Sequence, residues 1–295
     1  MTPLEMVRLP SLMTLTEGSR QVVVALLDGP VPQGHPELAT ESVRRLPGLM
    51  RRPEPPGAVG AASRHGTFTA GILAARRGRE APAICPNCTL LVRPIFTDTT
   101  GEDRSRLGTT VDELASALLE CINAGARIIN LSVGSTYPST IQQPRLHAAL
   151  DHAAEHGVLV VAAAGNQGTL GTSALTRHPW VLPVAAFNLD GRPSAYTNLG
   201  RALGRRGIGG PGEKITSLGA EGDPPPVSGG TSAAAAFVTG AAALLWSLFP
   251  SADVAEIKNA VLHGRGAHRG SVVPPLLDAW RAYSLLTEAK SRRAS

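Results

Sequence analysis

Four short apolar segments alternate along the chain with longer segments of helical periodicity, and this alternation restricts the possible folds more than any other feature. The apolar segments cover residues 22–27, 90–95, 127–131 and 158–163, and the helical patterns cover 66–76, 111–124 and 144–156. Segments that are apolar on both faces of an extended chain are typical of strands buried inside a parallel sheet. The pattern therefore predicts repeated β-α-β units.

The rest of the chain extends this pattern with a predicted strand at 180–187 and helices near 231–248, 252–262 and 275–288. Crossovers between parallel strands are right-handed and place helices over both sheet faces. We therefore predict an α/β fold: a single doubly wound, mostly parallel sheet with helices on both faces. No repeat or linker interrupts residues 20–285. We predict an N-terminal extension at 1–19, one domain at 20–288 and a frayed C-terminal tail at 289–295.

Apolar residues make up 43% of the 295 residues, which is enough for a large core. The longest nearly apolar run, 233–246, is shorter than the roughly 20 residues that cross a bilayer and contains Thr239-Gly240. The segment before the first predicted strand lacks the apolar centre and the small-residue cleavage site of a secretory signal. We therefore expect a cytoplasmic protein that has no membrane partner.

The three cysteines are too few for a disulfide scaffold, and Cys85-x-x-Cys88 has no second pair to complete a zinc site. A structural disulfide, for example to Cys121, and free thiols are both compatible with the sequence. The glycine pattern from Gly207 to Gly212 follows a charged loop instead of a predicted strand, which argues against a dinucleotide site. No cofactor is expected.

The net charge of the chain is +5, and its arginines occur in pairs. Four of the pairs are Arg44-Arg45, Arg51-Arg52, Arg76-Arg77 and Arg205-Arg206. No aromatic residues lie between them to stack bases, so nucleic acid is not an expected partner. A solvated basic surface is one interpretation, and an acidic peptide partner is the functional one.

Three polar residues occupy positions where reactive groups gather in such folds, at the carboxyl ends of strands and the amino ends of helices. Asp28 ends the first predicted strand, His65 opens a helix, and Ser232 begins a helix of small residues. Each alone is compatible with a cap, a turn or a structural role. Together they match a known catalytic arrangement, because a serine hydroxyl needs an imidazole to take its proton and a carboxylate to hold that imidazole. We predict that Asp28, His65 and Ser232 are catalytic.

Asn166 follows the predicted strand 158–163 and offers a side-chain N–H at the same edge of the sheet. Such a donor can stabilise the oxyanion of a tetrahedral intermediate, although an Asn in a left-handed turn is the alternative. Ser232 lies at a helix N-terminus, whose dipole favours the same negative charge. We expect Asn166 and Ser232 to form an oxyanion hole.

Four sequence blocks resemble the signatures of the subtilase (subtilisin-like) family of serine peptidases. They are the strand ending at Asp28, HGT…AG at His65, AAAGN at Asn166 and GTS at Ser232. The resemblance covers about residues 20–285 and implies that a substrate peptide adds as a strand beside the segment after residue 131. The residues that it implies for substrate binding and for the first specificity pocket are Ser132, Val133, Gly134, Ala163, Ala164 and Gly165.

A narrower resemblance is to the cyanobactin-type maturation proteases, which cut leader or follower sequences from ribosomally made peptides. It rests on residues 9–12 (LPSL) and 27–31 (LDGPV), and on the cysteine motif that leads to Pro94-Ile-Phe96. The chain departs from the usual subtilase pattern at Ala233 and Ala236, which carry no proton or charge in the mechanism. Only 11 residues separate Arg76 from Cys88, which leaves little room for the calcium loop of many subtilases, so no metal is expected.

The resulting prediction is a serine endopeptidase that forms an acyl-enzyme on Ser232 and removes a leader or follower segment from a precursor peptide, with an acidic precursor as the candidate partner. Three alternatives stay open: a general degradative subtilase, a macrocyclising transpeptidase and a non-catalytic peptide-binding fold. In related families macrocyclisation accompanies an inserted helical element. The 36 residues between Asp28 and His65 leave little room for one, and no triad residue is missing.

Overall fold

A computed structural model describes residues 1–48, 60–96, 108–133, 143–219, 224–266 and 270–294. Its central strands are β1 (Val23–Asp28), β2 (Val43–Arg45), β3 (Thr89–Pro94), β4 (Ile128–Leu131), β5 (Leu159–Ala163), β6 (Leu182–Phe187) and β7 (Ile208–Pro211). They form one sheet in the order β2-β3-β1-β4-β5-β6-β7, in which all neighbouring strands are parallel. A separate antiparallel pair consists of β8 (Ile215–Thr216) and β9 (Val227–Ser228).

Helices connect the strands and cover the sheet. They are α1 (Pro3–Met6), α2 (Leu9–Met13), α3 (Ala61–Ala74), α4 (Val111–Asn123), α5 (Pro144–Glu155), α6 (Ala174–Arg177), α7 (Arg201–Arg206), α8 (Thr231–Leu248), α9 (Val254–Leu262) and α10 (Ala279–Ala294). Local sequence explains several of their starts. The side chain of Thr110 caps α4 by accepting from Glu113 N at 3.1 Å, and Pro144 begins α5 with the backbone angle that a helix needs.

Both faces of the sheet are buried because successive side chains of a strand point to opposite sides. In β1, Val24 and Leu26 pack into one apolar cluster with α3 and α8, whereas Ala25 and Leu27 pack into a second cluster with α4 and α5. This arrangement confirms the predicted doubly wound α/β fold.

Helix α8 is the central helix of the larger cluster. It is long and apolar enough to cross a membrane, but 89% of this stretch is buried inside the fold, as expected of a core helix. Its alanines bring the helix close to the sheet, and Trp246 fixes its end by donating Nε1–H to Ala252 O at 2.8 Å. The cytoplasmic location stays a prediction.

Strands β2 and β7 were absent from the sequence prediction. Strand β2 is short and polar and lies at the sheet edge, so it has little of the apolar pattern of a buried strand. Strand β7 contains Gly209 and Gly210, which are poor strand formers. These glycines are required by packing, since a Cβ on Gly209 would lie 2.4 Å from the Phe187 ring and one on Gly210 would lie 2.7 Å from Ala234 O.

The two terminal segments pack against the rest of the fold. Helix α10 extends to Ala294, and Arg293 pairs with Glu256 on α9 at 2.8 Å. Near the other end, Met6 and Leu9 are fully buried in the larger cluster. The assignment of 1–19 as an extension, of 20–288 as the domain and of 289–295 as a frayed tail stays a prediction.

Candidate active site

The predicted site residues meet at the carboxyl edge of the sheet. Asp28 is the last residue of β1, Ser132 directly follows β4, and Asn166 lies three residues after β5. The N-terminus of α8, which carries Ser232, faces the same edge. These residues are up to 204 positions apart in the sequence. They lie in one cleft because neighbouring parallel strands end at the same edge of the sheet.

Asp28 and His65 form the shortest polar contact of the site. Oδ1 of Asp28 lies 2.5 Å from Nδ1 of His65 and also accepts the backbone N–H of Gly29 at 2.6 Å. The Asp28 side chain is fully buried, whereas the His65 side chain is 28% exposed. Burial by itself would lower the pKa of His65, but the charge of Asp28 and the hydrogen bond to it outweigh burial and raise that pKa.

Two glycines allow α3 to approach β1 closely enough for this contact. A Cβ on Gly66 would lie 2.3 Å from the carbonyl oxygen of Gly29, and a Cβ on Gly29 would lie 1.8 Å from that of Ala62. The sequence prediction placed His65 at the opening of this helix, which is wrong. The helix begins at Ala61, and His65 stands in its second turn, with its ring edge-on to Phe96 at a centroid distance of 6.4 Å.

Ser232 is the second residue of α8, and its hydroxyl donates to the carbonyl oxygen of Ser132 at 3.2 Å. Among the described residues, no hydrogen bond joins Ser232 to His65. Both side chains nevertheless line one cavity of about 500 Å³, together with Asn166. The turn into the helix depends on Gly230, whose φ of +118° is unfavourable for residues with a side chain.

Asn166 is exposed in this cavity, and Thr231 fixes the orientation of its amide. The oxygen of Asn166 accepts the backbone N–H of Thr231 at 2.9 Å and its hydroxyl at 3.0 Å. A backbone N–H can only donate, so the atom it meets is the amide oxygen and the Nδ2 donors point elsewhere. The hydroxyl of Thr231 also accepts the N–H of Gly165 at 3.1 Å. Sequence reasoning missed Thr231, because it treated this residue only as part of the GTS block.

The predicted substrate-binding residues fall into three groups. Ser132, Val133 and Gly165 line the cavity. Ala163 and Ala164 are only 1% and 8% exposed and lie behind it in the core cluster of α8, so the structure does not bring them to the cavity. Gly134 lies outside the described residues. Apolar side chains that were not predicted also line the cavity, among them Leu114, Leu146 and Leu175.

Cys85, Cys88 and Cys121 are all unpaired thiols. Cys85 and Cys88 pack in the apolar cluster of α8, and Cys121 packs in the cluster of α4 and α5. The sheet separates the two clusters, so the suggested disulfide to Cys121 is not formed. Burial raises the pKa of the Cys121 thiol to about 12, which makes it unreactive.

A cluster of possible metal ligands consists of His147, Asp151 and His178. The geometry of these side chains indicates that they form hydrogen bonds to one another instead. Asp151 lies 3.2 Å from Nδ1 of His147 and 3.2 Å from Nε2 of His178. The backbone N–H of Trp180 points at Nδ1 of His178 at 3.3 Å, so a neutral His178 carries its proton on Nε2, the atom that a metal would need.

Residues 19–272 match the family model described as the Subtilase family. The chain belongs to the subtilase family. Among curated relatives it is 30% identical to mycosin-3 of Mycobacterium tuberculosis over 259 residues, which cover 70% of this chain and 55% of that protein. It is 31% identical to the thermophilic serine proteinase of Bacillus sp. over 236 residues, which cover 79% of this chain and 54% of that protein. This subtilase thus spans about half the length of the curated relatives it matches.

Solved structures extend the similarity to nearly the full length of this subtilase. The prenylagaramide maturation protease PagA is 29% identical with a TM-score of 0.81, covering 94% of this chain and 98% of that one. The patellamide maturation protease PatA is 32% identical with a TM-score of 0.77, covering 92% and 98%. The PatG macrocyclase, at 20% identity, shares the fold. The predicted subtilase family and the likeness to the cyanobactin type are confirmed.

Proposed function

We propose that the chain is a serine endopeptidase that hydrolyses peptide bonds through an acyl-enzyme on Ser232. The observation that supports this most directly is the common cavity, which the hydrogen-bonded His65, the hydroxyl of Ser232 and the amide of Asn166 all line. The three side chains therefore border one space, in which the proposed mechanism places the scissile carbonyl group. Membership of the subtilase family and the serine proteinases among its relatives agree with this activity.

In this mechanism His65 uses its two ring nitrogens differently. Nδ1 is engaged by Asp28, so Nε2 takes the proton of Ser232 while Oγ bonds to the substrate carbonyl carbon. The C–N bond then breaks, and the departing amine receives that proton from Nε2. A water molecule repeats the sequence on the acyl-enzyme, giving its proton to Nε2 and releasing the acid and the Ser232 hydroxyl.

The negative oxygen of each tetrahedral intermediate needs donors that are already in place. Asn166 provides Nδ2–H, because its oxygen is held by Thr231, and Ser232 provides its backbone N–H at the start of α8. The hydroxyl of Ser232 must leave the Ser132 carbonyl before attack. A substrate strand that adds beside Ser132 would bring a backbone N–H to this carbonyl and so free the hydroxyl for His65.

We further propose that the substrate is an acidic precursor peptide from which a leader or follower segment is removed. The similarity to PagA and PatA, both named maturation proteases, supports this substrate class. The net charge of +5 supports an acidic segment. Hydrolysis is the proposed outcome over macrocyclisation, since the similarity to the PatG macrocyclase is one of fold.

The test is to incubate the enzyme with an acidic precursor peptide and with unfolded casein, and to identify the products by mass spectrometry. We expect one cut in the precursor and little digestion of casein. Equal digestion of both would leave a general protease. A product lighter than the hydrolytic fragment by one water would instead indicate macrocyclisation. Absence of any product, with no labelling of Ser232 by a serine-reactive fluorophosphonate, would contradict the peptidase itself.

A further inference from the structure

The side chain of Asn198, from another part of the chain, makes five hydrogen bonds to the loop that carries Asn166. Its oxygen accepts the backbone N–H groups of Gln167 and Thr169, and also the Thr169 hydroxyl, each at 3.1 Å. Its Nδ2 donates to the carbonyl oxygen of Ala164 at 3.1 Å and to Oε1 of Gln167 at 2.7 Å. Both ends of the amide are therefore used.

These contacts flank Asn166 on both sides without involving its side chain. Ala164 precedes Asn166 by two residues and Thr169 follows it by three. The backbone N–H of Asn198 adds a bond to the carbonyl oxygen of Gly165 at 2.9 Å, and the N–H of Leu199 adds one to that of Thr169 at 3.0 Å. The segment 198–199 therefore aligns the whole of 164–169.

Gly165 leaves the space in which the side-chain amide of Asn198 contacts the loop. Gly165 has a φ of +103°, and a Cβ there would lie 2.4 Å from Nδ2 of Asn198 and 2.7 Å from Oε1 of Gln167. A side chain at 165 would displace Asn198 from the loop. The absence of one leaves room for the amide of Asn198 to reach the Ala164 carbonyl.

We infer that Asn198 is a positioning residue for the oxyanion donor Asn166. Thr231 fixes which way the Asn166 amide points, and Asn198 fixes where the loop beneath that amide lies. A donor acts on an oxyanion only when it is already at the right place, and a displacement of about 1 Å can cost on the order of 10²-fold in rate. This inference rests on the proposed peptidase function.

The test uses Asn198→Asp, which keeps the acceptor oxygen and removes only the Nδ2 donors. The new carboxylate oxygen would face the Ala164 carbonyl and Oε1 of Gln167, so the loop must shift. We expect kcat on a chromogenic peptide to fall by about 10- to 100-fold while KM changes by less than about twofold. Asn188→Asp is the matched control, because the hydrogen bonds described for Asn188 stay within the exposed turn 188–192.

A double-mutant cycle separates positioning from a general loss of stability. If Asn198 acts through Asn166, then Asn198→Asp in an Asn166→Ala background should change kcat by no more than about twofold. An equal loss of kcat in both backgrounds would overturn the inference, as would a loss no larger than that of Asn188→Asp. If the Asp variant does not fold by circular dichroism, Asn198→Gln moves the same amide by one methylene and carries the same expectations.

One readout is independent of activity. The side-chain amide signal of Asn166 in a ¹H–¹⁵N spectrum, assigned by its loss in Asn166→Ala, should shift or broaden in Asn198→Asp and stay in place in Asn188→Asp. An unchanged signal would overturn the positioning role even if the wild-type enzyme cleaved no peptide. Inactivity of the wild type with a shifted signal would contradict the proposed function and leave the positioning role standing.

Discussion

Nδ1 of His65 lies 2.5 Å from Oδ1 of Asp28, and the backbone N–H of Gly29 donates to that same oxygen at 2.6 Å. The carboxylate is fully buried at the end of β1, so its position is fixed by the sheet. This contact leaves only Nε2 of His65 to exchange protons with the cavity. The pairing therefore determines both the tautomer of the imidazole and its affinity for protons.

The first prediction is that activity falls on acidification, and that the midpoint of this fall lies above pH 6.5, the ordinary pKa of histidine. His65 must be neutral to act as a base, and its pKa is raised above 6.5: burial lowers it, but Asp28 more than compensates. The acid limb of kcat/KM against pH, which reports the free enzyme, should accordingly have its midpoint above 6.5. A midpoint below 6.5 would show that burial affects the pKa of His65 more strongly than Asp28 does.

Asp28→Asn tests the same pairing. Without the carboxylate, burial is left as the main influence and lowers the pKa of His65, so the acid limb should move to lower pH. The wrong tautomer should also reduce kcat, on the order of 10⁴-fold. Asp151→Asn is a suitable control, because Asp151 also pairs with histidines but lies outside the cavity of Ser232. It should leave the pH profile unchanged.

Ser232→Ala should abolish peptide cleavage and leave the protein folded. The lost hydroxyl makes one hydrogen bond, to the Ser132 carbonyl, and contributes little to packing. Ser247→Ala is the same change near the other end of α8, where the hydroxyl donates to Ala243 O, and it should retain activity. Thermal unfolding of both variants should resemble wild type. Normal turnover by Ser232→Ala would remove the nucleophile assignment.

Asn166→Ala should lower kcat much more than it raises KM, since the donor meets an oxyanion that exists only along the reaction path. In subtilisin, a member of this family, removing such a donor costs about 10²–10³ in kcat. Thr231→Val should reproduce part of this loss, because it removes the hydroxyl that holds the Asn166 oxygen, whereas Thr231→Ser keeps it. A loss confined to KM in these variants would assign Asn166 to substrate binding alone.

Much of the fold could be predicted from the sequence because buried parallel strands and amphipathic helices have distinct periodicities. Strands β1, β3, β4 and β5 were predicted to within about two residues for this reason. Strand β7 could not be, since Gly209 and Gly210 are selected by the close approach of Phe187 and Ala234. Such contacts join residues far apart in the chain and leave no local periodic signal.

The same limit applies to the site. Asp28, His65, Asn166 and Ser232 could be predicted because together they supply a nucleophile, a base, a carboxylate for that base and an oxyanion donor. The supporting hydrogen bonds of Thr231 and Asn198 depend on how distant loops meet, which sequence spacing does not reveal.

The arginine pairs illustrate a further difference. In Arg44-Arg45, Arg76-Arg77 and Arg205-Arg206 the second arginine is half-buried and donates to backbone carbonyls: Arg45 to Pro32, Arg77 to Met13 and Arg206 to His178. The first member of each of these three pairs is exposed. The half-buried arginines therefore stabilise the fold through these hydrogen bonds. The exposed arginines contribute positive potential at the surface.

Association with an acidic peptide should therefore depend on salt to a moderate degree. Long-range attraction between exposed charges is screened over a Debye length of about 10 Å at 0.1 M ionic strength. We expect kcat/KM for an acidic precursor to fall as salt is raised, and kcat/KM for a neutral analogue to stay constant. Replacing the exposed Arg44 and Arg76 by Gln should make the salt dependence shallower. Equal salt effects on both peptides would remove the electrostatic argument.

The last prediction concerns the apolar part of the cavity. The cavity of about 500 Å³ beside Ser232 is lined by the apolar side chains of Val133, Leu114, Leu146 and Leu175. A substrate with a bulky apolar side chain near the scissile bond should therefore be preferred over one with alanine.

Val133→Phe places a ring in this space. For the bulky substrate we expect kcat/KM to fall by about 10- to 100-fold, mainly through KM, because hydrophobic pockets discriminate side-chain size at this level. The alanine substrate needs less room and should be affected little. Val272→Phe, at a position 37% exposed, controls for the added ring. An equal loss for both substrates would show that Val133→Phe disturbs the catalytic groups instead of the pocket.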